Sequence, residues 1–572
     1  MKKLSPRPFH KVDQLQLALA NMAEGSASPK LQGGDDFAKI FELWILIKAG
    51  PFHFRRYWSA ETFIQSLNSI ELTLLLNGVD PIQDLVLFPL TQTGKLYNNP
   101  FRSYSKLPPG PPAWPIFGYL PGLPDTNPWG VFNKWSAIYG DVFYVPSFRN
   151  HVIVLNSAEA TNDLLEKRGS IYSGRPYTVM LYELMDLART TIFARYGSEK
   201  WRSHRKIYTQ QMGITAVKKY RVYQSGAARN FLRTLLESPE DFSVHCRTLA
   251  TEIIMNAAYG YQIAPKNDEM VELSESVNVG LGKAAQPGFF MIDNFPIPVT
   301  NVKMTVRHIP LFFPFTSFKT YAAEVRRAVD RQHFIPFRRV VEQMRKGTAK
   351  ISLVSGSLSE LDGVDFMNGM EEFDIEAFEN RPDVRAISDI AGGIFRAGSA
   401  TMVSVLQSFI LAMVVSPASQ KRAQEELDHV LSFSNNEIGK LPTFEDLEYL
   451  PYIKAMAQEL LRWFPVAPTA VPHATTLEDT YKGYRIPKGS ILIPNVRPDR
   501  FLPDETGKVA PEPLAAFGFG RRICPGRHLA EGSIQIMVAS VLAVFNISPA
   551  LDVNGNPIDV GHAFDGDSGL FK

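Results

Sequence analysis

The chain has two cysteines in 572 residues, Cys246 and Cys524. So few thiols exclude a disulfide framework and any site built from four thiolates, and they suit a reducing compartment. An excess of one charge is lacking as well: 60 Lys and Arg stand against 58 Asp and Glu, a net of +2. Specific duplex binders carry a clear basic surface, so nucleic acid is not an expected partner. No internal repeat, Walker-type phosphate loop or His-Glu-x-x-His metal site is present. The N-terminal part also lacks the run of roughly 20 mostly apolar residues that a membrane span needs. Leu43–Lys48 is short, and Glu71–Leu90 is broken by Asp80 and Asp84.

What is there is an ordinary globular balance, 45% hydrophobic and 21% charged, enough to bury a large core. The most informative stretch is Phe517-Gly-Phe-Gly-Arg-Arg-Ile-Cys524-Pro-Gly526, a lone cysteine in a basic, glycine-rich loop. A buried structural cysteine is the plain alternative, since free Cys packs as a small hydrophobe. The surroundings favour a metal-ligating thiolate instead. Arg521 and Arg522 are placed to supply positive charge, and Gly520 and Gly526 let backbone amides approach the sulfur. The apolar run Leu529, Ile534, Ile536, Met537, Val538, Leu542 predicts a helix just after the loop, whose dipole favours negative charge at its start.

With Phe517, Gly520, Arg522, Cys524 and Gly526 at their spacing, the segment resembles the haem-binding loop of the cytochrome P-450 family, and Asn156-Ser-Ala-Glu-Ala with Glu183-Leu-Met is closest to its fungal microsomal members. Other segments extend the resemblance from about Leu107 to the C-terminus. Glu459 and Arg462 lie three apart on an expected helix and so share a face; with Arg500 of Pro498-Asp-Arg-Phe501 they match a charge network that the resemblance describes as buried and supporting the cysteine loop. Ser388–Met413 is an apolar stretch rich in small residues. Gly398 and its neighbouring alanines are expected to open one face of a buried helix to something bulky, and Thr401 adds a hydroxyl there. That stretch resembles the family's long oxygen-activating helix, in which Gly398 and Thr401 take the catalytic positions. Trp201 and Arg205, in a Trp-x-x-x-Arg pattern, match contacts to the haem propionates, and His473 matches a further basic contact.

The resemblance implies a mainly α fold with a smaller β region, in which haem b lies between the long helix and the helix of the cysteine loop, with Cys524 as the axial iron ligand. Strands are expected at Val142–Pro146 and His151–Leu155. It further implies a monooxygenase that takes electrons from an NADPH-dependent reductase and inserts one atom of O2 into a small apolar substrate, with Phe395, Val466, Ala467, Pro468 and Val471 along the pocket. A location on the cytoplasmic face of the endoplasmic reticulum membrane follows from the same resemblance. A length of 572 residues suggests several domains, yet motifs from Trp201 to Cys524 must converge on one site. The expected division is an atypical, weakly ordered region 1–106 and a haem domain 107–572, entered through the proline-rich Leu107–Gly118. Thr348–Arg381, rich in Ser and Gly and then acidic, is expected as a surface connection.

Three departures from the family pattern stand out. Ala400 occupies the place before Thr401 where the family has an acid, removing a proton relay. Asn495-Val496 passes at once to Arg497-Pro498, a shortened connection, and the chain ends at Gly569-Leu-Phe-Lys572 before a final strand pair. They leave two alternatives to the monooxygenase: a haem-thiolate isomerase or dehydratase that needs no relay, and a haem-binding pseudoenzyme.

Overall fold

Val142 to Ser147 alternates apolar side chains that bury one face, and it pairs with the equally apolar Asn150–Leu155 as an antiparallel hairpin, β1 and β2, with Val145 opposite Val152. The parallel partner of β2 is far along the chain: β6 (Ile491–Pro494) lies beside it, Val152 against Ile491, and β3 (His473–Ala474) closes the order β1-β2-β6-β3. A separate hairpin, β4 (Asp479–Tyr481) with β5 (Tyr484–Ile486), stands alone. These coordinates are a computed structural model that describes residues 106–112, 128–147, 150–264, 267–285, 317–361, 374–433, 440–495 and 514–558, all within one compact unit, Ser103–Lys572. Region 1–105, the 496–497 junction, Arg500 and the C-terminal Gly569–Lys572 lie outside the described residues.

The rest is helical. The longer helices are α1 (Pro128–Tyr139), α2 (Glu199–Met212), α3 (Arg221–Glu237), α4 (Phe242–Tyr259), α5 (Glu269–Ala285), α6 (Ser317–Arg345), α7 (Pro382–Val415), α8 (Pro417–Phe433), α9 (Pro451–Trp463) and α10 (Arg527–Leu542). Helix α7, 34 residues long, is the axis of the packing. Pro382 opens it, where a missing N–H costs nothing. Its first half, including Val384, Ile387, Ile390 and Phe395, joins a core with α5 and α6. Its second half, including Met402, Val405, Leu406 and Phe409, joins another with α3, α9 and α10. The small residues 397–401 fall between the two. Among the described residues α7 is also the one helix long and apolar enough to cross a membrane, but half of its apolar window is buried inside the protein, as a core helix requires.

The Ser/Gly-rich segment corrects its reading as a surface connection. Leu353–Ser359 is a helix with Leu353, Val354 and Leu358 fully buried, opened by a capping box in which Ser352 and Ser355 each accept from the other's backbone N–H. Serine was a cap there, not a loop signal. Residues 362–373 of the same segment lie outside the described residues.

Candidate haem-thiolate site

The cysteine loop is wound by two tight turns, with Gly518 N–H donating to Ala515 O (3.1 Å) and Ile523 N–H to Gly520 O (3.1 Å), and it is closed by Cys524 N–H donating to Phe517 O at 2.8 Å. Gly520 has φ +55°, and a Cβ there would stand 2.1 Å from Leu165 O. Its N–H donates to Glu166 Oε1 at 2.5 Å. Position 520 thus requires glycine twice over, for its left-handed backbone and for its contact with the 165–166 backbone. Gly526 caps α10 and turns its N–H toward the Cys524 sulfur, while Phe517 packs its ring on the core beneath α10.

The Cys524 thiol is held above its usual pKa by burial, opposed by the Gly526 N–H and by the charges of Arg205 and Arg527. This corrects the expectation that Arg521 and Arg522 supply the charge. Arg521 donates to Tyr196 Oη at 2.6 Å. Arg522 gives three of its five N–H groups to carbonyls, Ser173 O (2.8 Å), Thr191 O (3.0 Å) and Ala194 O (2.7 Å), so it fastens the loop to the 173–194 segment. A sulfur with an upward-shifted pKa stays a thiol until a metal ion displaces its proton.

Around this loop gathers a set of arginines without acids. Arg205, on α2, donates to Ile523 O at 2.9 Å. Arg175, which the sequence reading missed, donates to Val471 O (2.8 Å) and Pro472 O (2.9 Å). Among the described residues none of Arg175, Arg205 and Arg522 has a carboxylate partner. Burial lowers all three, Arg175 to about 9 and Arg522 to about 10, and Arg175 and Arg522 are lowered further by other arginine charges. The Trp201 ring lies beneath Arg522, 5.9 Å from its Cζ, and its buried Nε1–H has no acceptor among the described residues. Uncompensated cations and an orphaned donor are costly in a protein interior. A cofactor carrying carboxylates beside a metal that takes the sulfur answers both deficits, and the residues present fit haem.

His473 is buried and hydrogen-bonded from Nδ1 to Tyr172 O at 2.8 Å, and burial together with Arg175 lowers it to about 3. The neutral ring therefore carries its proton on Nδ1 and leaves Nε2 a lone pair. In this state it has no donor for a carboxylate, which corrects its reading as a basic contact.

On α7 the two sides of the small-residue stretch differ. A Cβ on Gly398 would meet Ile254 Cδ1 at 2.5 Å, and Phe395, three residues earlier on the same side, sets its ring edge-on to Tyr259 with centroids 6.5 Å apart. Both therefore face α4. The bulky neighbour expected at Gly398 is Ile254, and Phe395 is core rather than pocket lining. We expect Gly398→Ala to cost about 1–3 kcal/mol from overpacking. Because the opposing atom ends a flexible side chain, Ile254→Val in the same chain recovers about 1 kcal/mol of that in a denaturation cycle. The other side of the helix is open: Ala397 is exposed at mid-helix, and Gly393, Ala400 and Thr401 are only partly covered. Thr401 Oγ1 donates back to Ala397 O (2.9 Å) and Gly398 O (3.3 Å). Val466, Ala467 and Val471 are partly buried.

Glu459 and Arg462 pair on α9, with Arg462 Nε donating to Glu459 Oε2 at 2.6 Å. The Glu459 side chain is 55% exposed and that of Arg462 11%, so the pair is half in solvent rather than the buried network expected.

A model of the family described as Cytochrome P450 matches residues 108–564. Among curated proteins, the chain is 37% identical to Cytochrome P450 monooxygenase COX2 of Coprinopsis cinerea over 79% of its own length and 85% of that protein. It is 35% identical to Cytochrome P450 monooxygenase ple1 of Rhodocybe pseudopiperita (79% and 85%) and 33% identical to Tryptamine 4-monooxygenase of Psilocybe cyanescens (82% and 91%). A loop shaped around one sulfur, acid-free arginines beside it and a long helix with one open side meet here with a family match over most of the chain: it belongs to the cytochrome P450 family, haem-binding oxidoreductases of the monooxygenase type.

Proposed function

We propose that this enzyme inserts one atom of O2 into a C–H bond of a small, largely apolar substrate, with electrons from an NADPH-dependent reductase, at the cytoplasmic face of the endoplasmic reticulum membrane. The haem domain runs from about residue 107 to the C-terminus. When bound, haem with a thiolate ligand supplies the oxygen-activating chemistry. The observation that carries the reading is the gathering beside the cysteine loop of three arginines, Arg175, Arg205 and Arg522, that have no carboxylate partner among the described residues.

Cys524 would hold the haem iron through its sulfur. Its loop holds the sulfur through the Cys524 N–H to Phe517 O bond and the required glycine at 520. Arg205, Arg522 and Trp201 would hold the propionates, with Arg175 beside them; charge-assisted donors suit carboxylates. His473 steadies the 471–473 segment through Tyr172 O. Glu459 and Arg462, with Arg500, support the loop from α9. Gly398 serves indirectly, by letting α7 approach α4. Thr401 is the hydroxyl on the open side, and with Ala400 beside it no carboxylate of that turn shares its proton.

The test is turnover of the haem-loaded enzyme with reductase, NADPH and labelled O2 on a panel of apolar substrates. The expected result is product carrying one labelled oxygen; product formed equally without NADPH would contradict it. Thr401→Ala is expected to keep its haem yet lower product per NADPH consumed by about tenfold or more, within the range of lost proton-transfer help.

A further inference from the structure

One buried cation of α7 has no role in the site so far. Arg396 is 6% exposed, and both of its terminal nitrogens are buried without a hydrogen-bond partner among the described residues. The side chain lies one turn before Ala400, at the flank of the open side of α7 that carries Gly393, Ala397 and Thr401. A carboxylate at position 400 would stand four residues on, within pairing reach on a helix, but the residue is alanine. Tyr259, whose hydroxyl lies near enough to feel the Arg396 charge, is 1% exposed, and its Oη is equally unpartnered.

The charges nearby do not settle Arg396. Arg189 is itself engaged by Asp330 at 2.5 Å and adds a like charge. Asp389, two turns back on the same side of the helix, makes no hydrogen bond to the terminal nitrogens of Arg396, and its closest basic contact is His333 Nε2 at 3.5 Å. Burial pushes Asp389 up to about 6 and holds His333 well below its usual value, so the first is an incomplete counter-charge and the second is neutral. A guanidinium fixed in a dry interior without an anion is strongly unfavourable unless a ligand brings one. Its planar fork matches a carboxylate.

We infer that Arg396, with the Tyr259 hydroxyl, is the substrate-anchoring group, and that it selects substrates whose apolar body carries one carboxylate. This rests on the monooxygenase reading and narrows its substrate class. Arg396 sets which molecules are held, and not the chemistry done on them.

The test uses the haem-loaded full chain and titrates octanoate, dodecanoate and hexadecanoate against their methyl esters, read as the shift of the haem absorption band. At least one acid is expected to bind about 10-fold or more tightly than its ester, the scale of one desolvated charge-assisted pair. In Arg396→Met the ratio falls below about 3-fold, and Arg396→Lys retains part of it. Without ligand, the melting temperature of Arg396→Met is expected to equal or exceed that of the wild type, because an unpaired buried charge is removed. Acids that bind no better than their esters, or not at all, overturn the inference, as does a preference that survives in Arg396→Met. A lower melting temperature for Arg396→Met overturns it too, marking Arg396 and Asp389 as a water-linked structural pair. A wild type that lacks the red-shifted band of the reduced, carbon monoxide-treated protein overturns this and the haem-thiolate reading together. An intact band without acid preference overturns only this.

Discussion

Cys524→Ser is expected to leave a folded chain that no longer oxygenates. Cys524 is half-buried at the end of a loop none of whose hydrogen bonds uses its side chain: Phe517 O, Gly520 O and Ala515 O accept from backbone N–H groups regardless of the residue at 524. Far-UV circular dichroism should therefore be unchanged. Function differs because a serine oxygen is a far poorer soft donor than sulfur and does not push electron density to the metal as a thiolate does. We expect turnover to fall by roughly 10³-fold or more, about 4 kcal/mol in barrier, with weakened haem retention by absorbance after gel filtration. A variant that turns over within threefold of wild type would mean that the sulfur is not the ligand.

Gly520→Ala should act on the same site by a different route. Alanine at φ +55° carries a backbone cost of order 1–3 kcal/mol, and its Cβ would overlap Leu165 O at 2.1 Å. That oxygen belongs to a backbone, so relief requires moving the 162–167 turn or the loop itself. Either movement breaks the Gly520 N–H to Glu166 bond and shifts the turn that ends at Ile523, one residue before the sulfur. The expected result is a loss of several degrees in melting temperature and a low haem content that added haem does not restore. Gly526→Ala provides the contrast. A Cβ there has Cys524 Sγ as its nearest neighbour, at 4.0 Å, and its φ of −90° suits any residue, so it should fold with its haem. Equal haem content in the two variants would contradict the account of position 520.

The loop was legible from sequence because its constraints are local. Glycines at 520 and 526 around a lone cysteine reflect backbone geometry within ten residues, and the apolar run after them gives α10 directly. The strands at 142–147 and 150–155 were legible for the same reason. What was not legible depends on partners far along the chain. Arg522 reads as a charge beside the sulfur, yet Ser173, Thr191 and Ala194 claim it from more than 300 residues away. Arg175 sits in Gly-Arg-Pro with no pattern to mark it, and its role becomes visible only when Val471 and Pro472 are brought to it. Gly398 and Phe395 looked like the pocket side of α7 because helical spacing gives sides but not which neighbour meets each; Ile254 and Tyr259 decide that. His473 was read by its residue type, and only burial and the Tyr172 carbonyl reveal which nitrogen holds the proton. Arg396 passed unnoticed for the opposite reason. A charge within an apolar helix looks like an interruption until the structure shows it buried without a partner.

The central claim is that Cys524 presents its sulfur to haem iron in a site completed by Arg175, Arg205, Arg522 and Trp201. The most direct test is the difference spectrum of the haem-loaded wild type after reduction and addition of carbon monoxide. A strongly red-shifted Soret band, absent in Cys524→Ser, is the predicted result. An unshifted band in the wild type, or a red-shifted band that persists in Cys524→Ser, would contradict it.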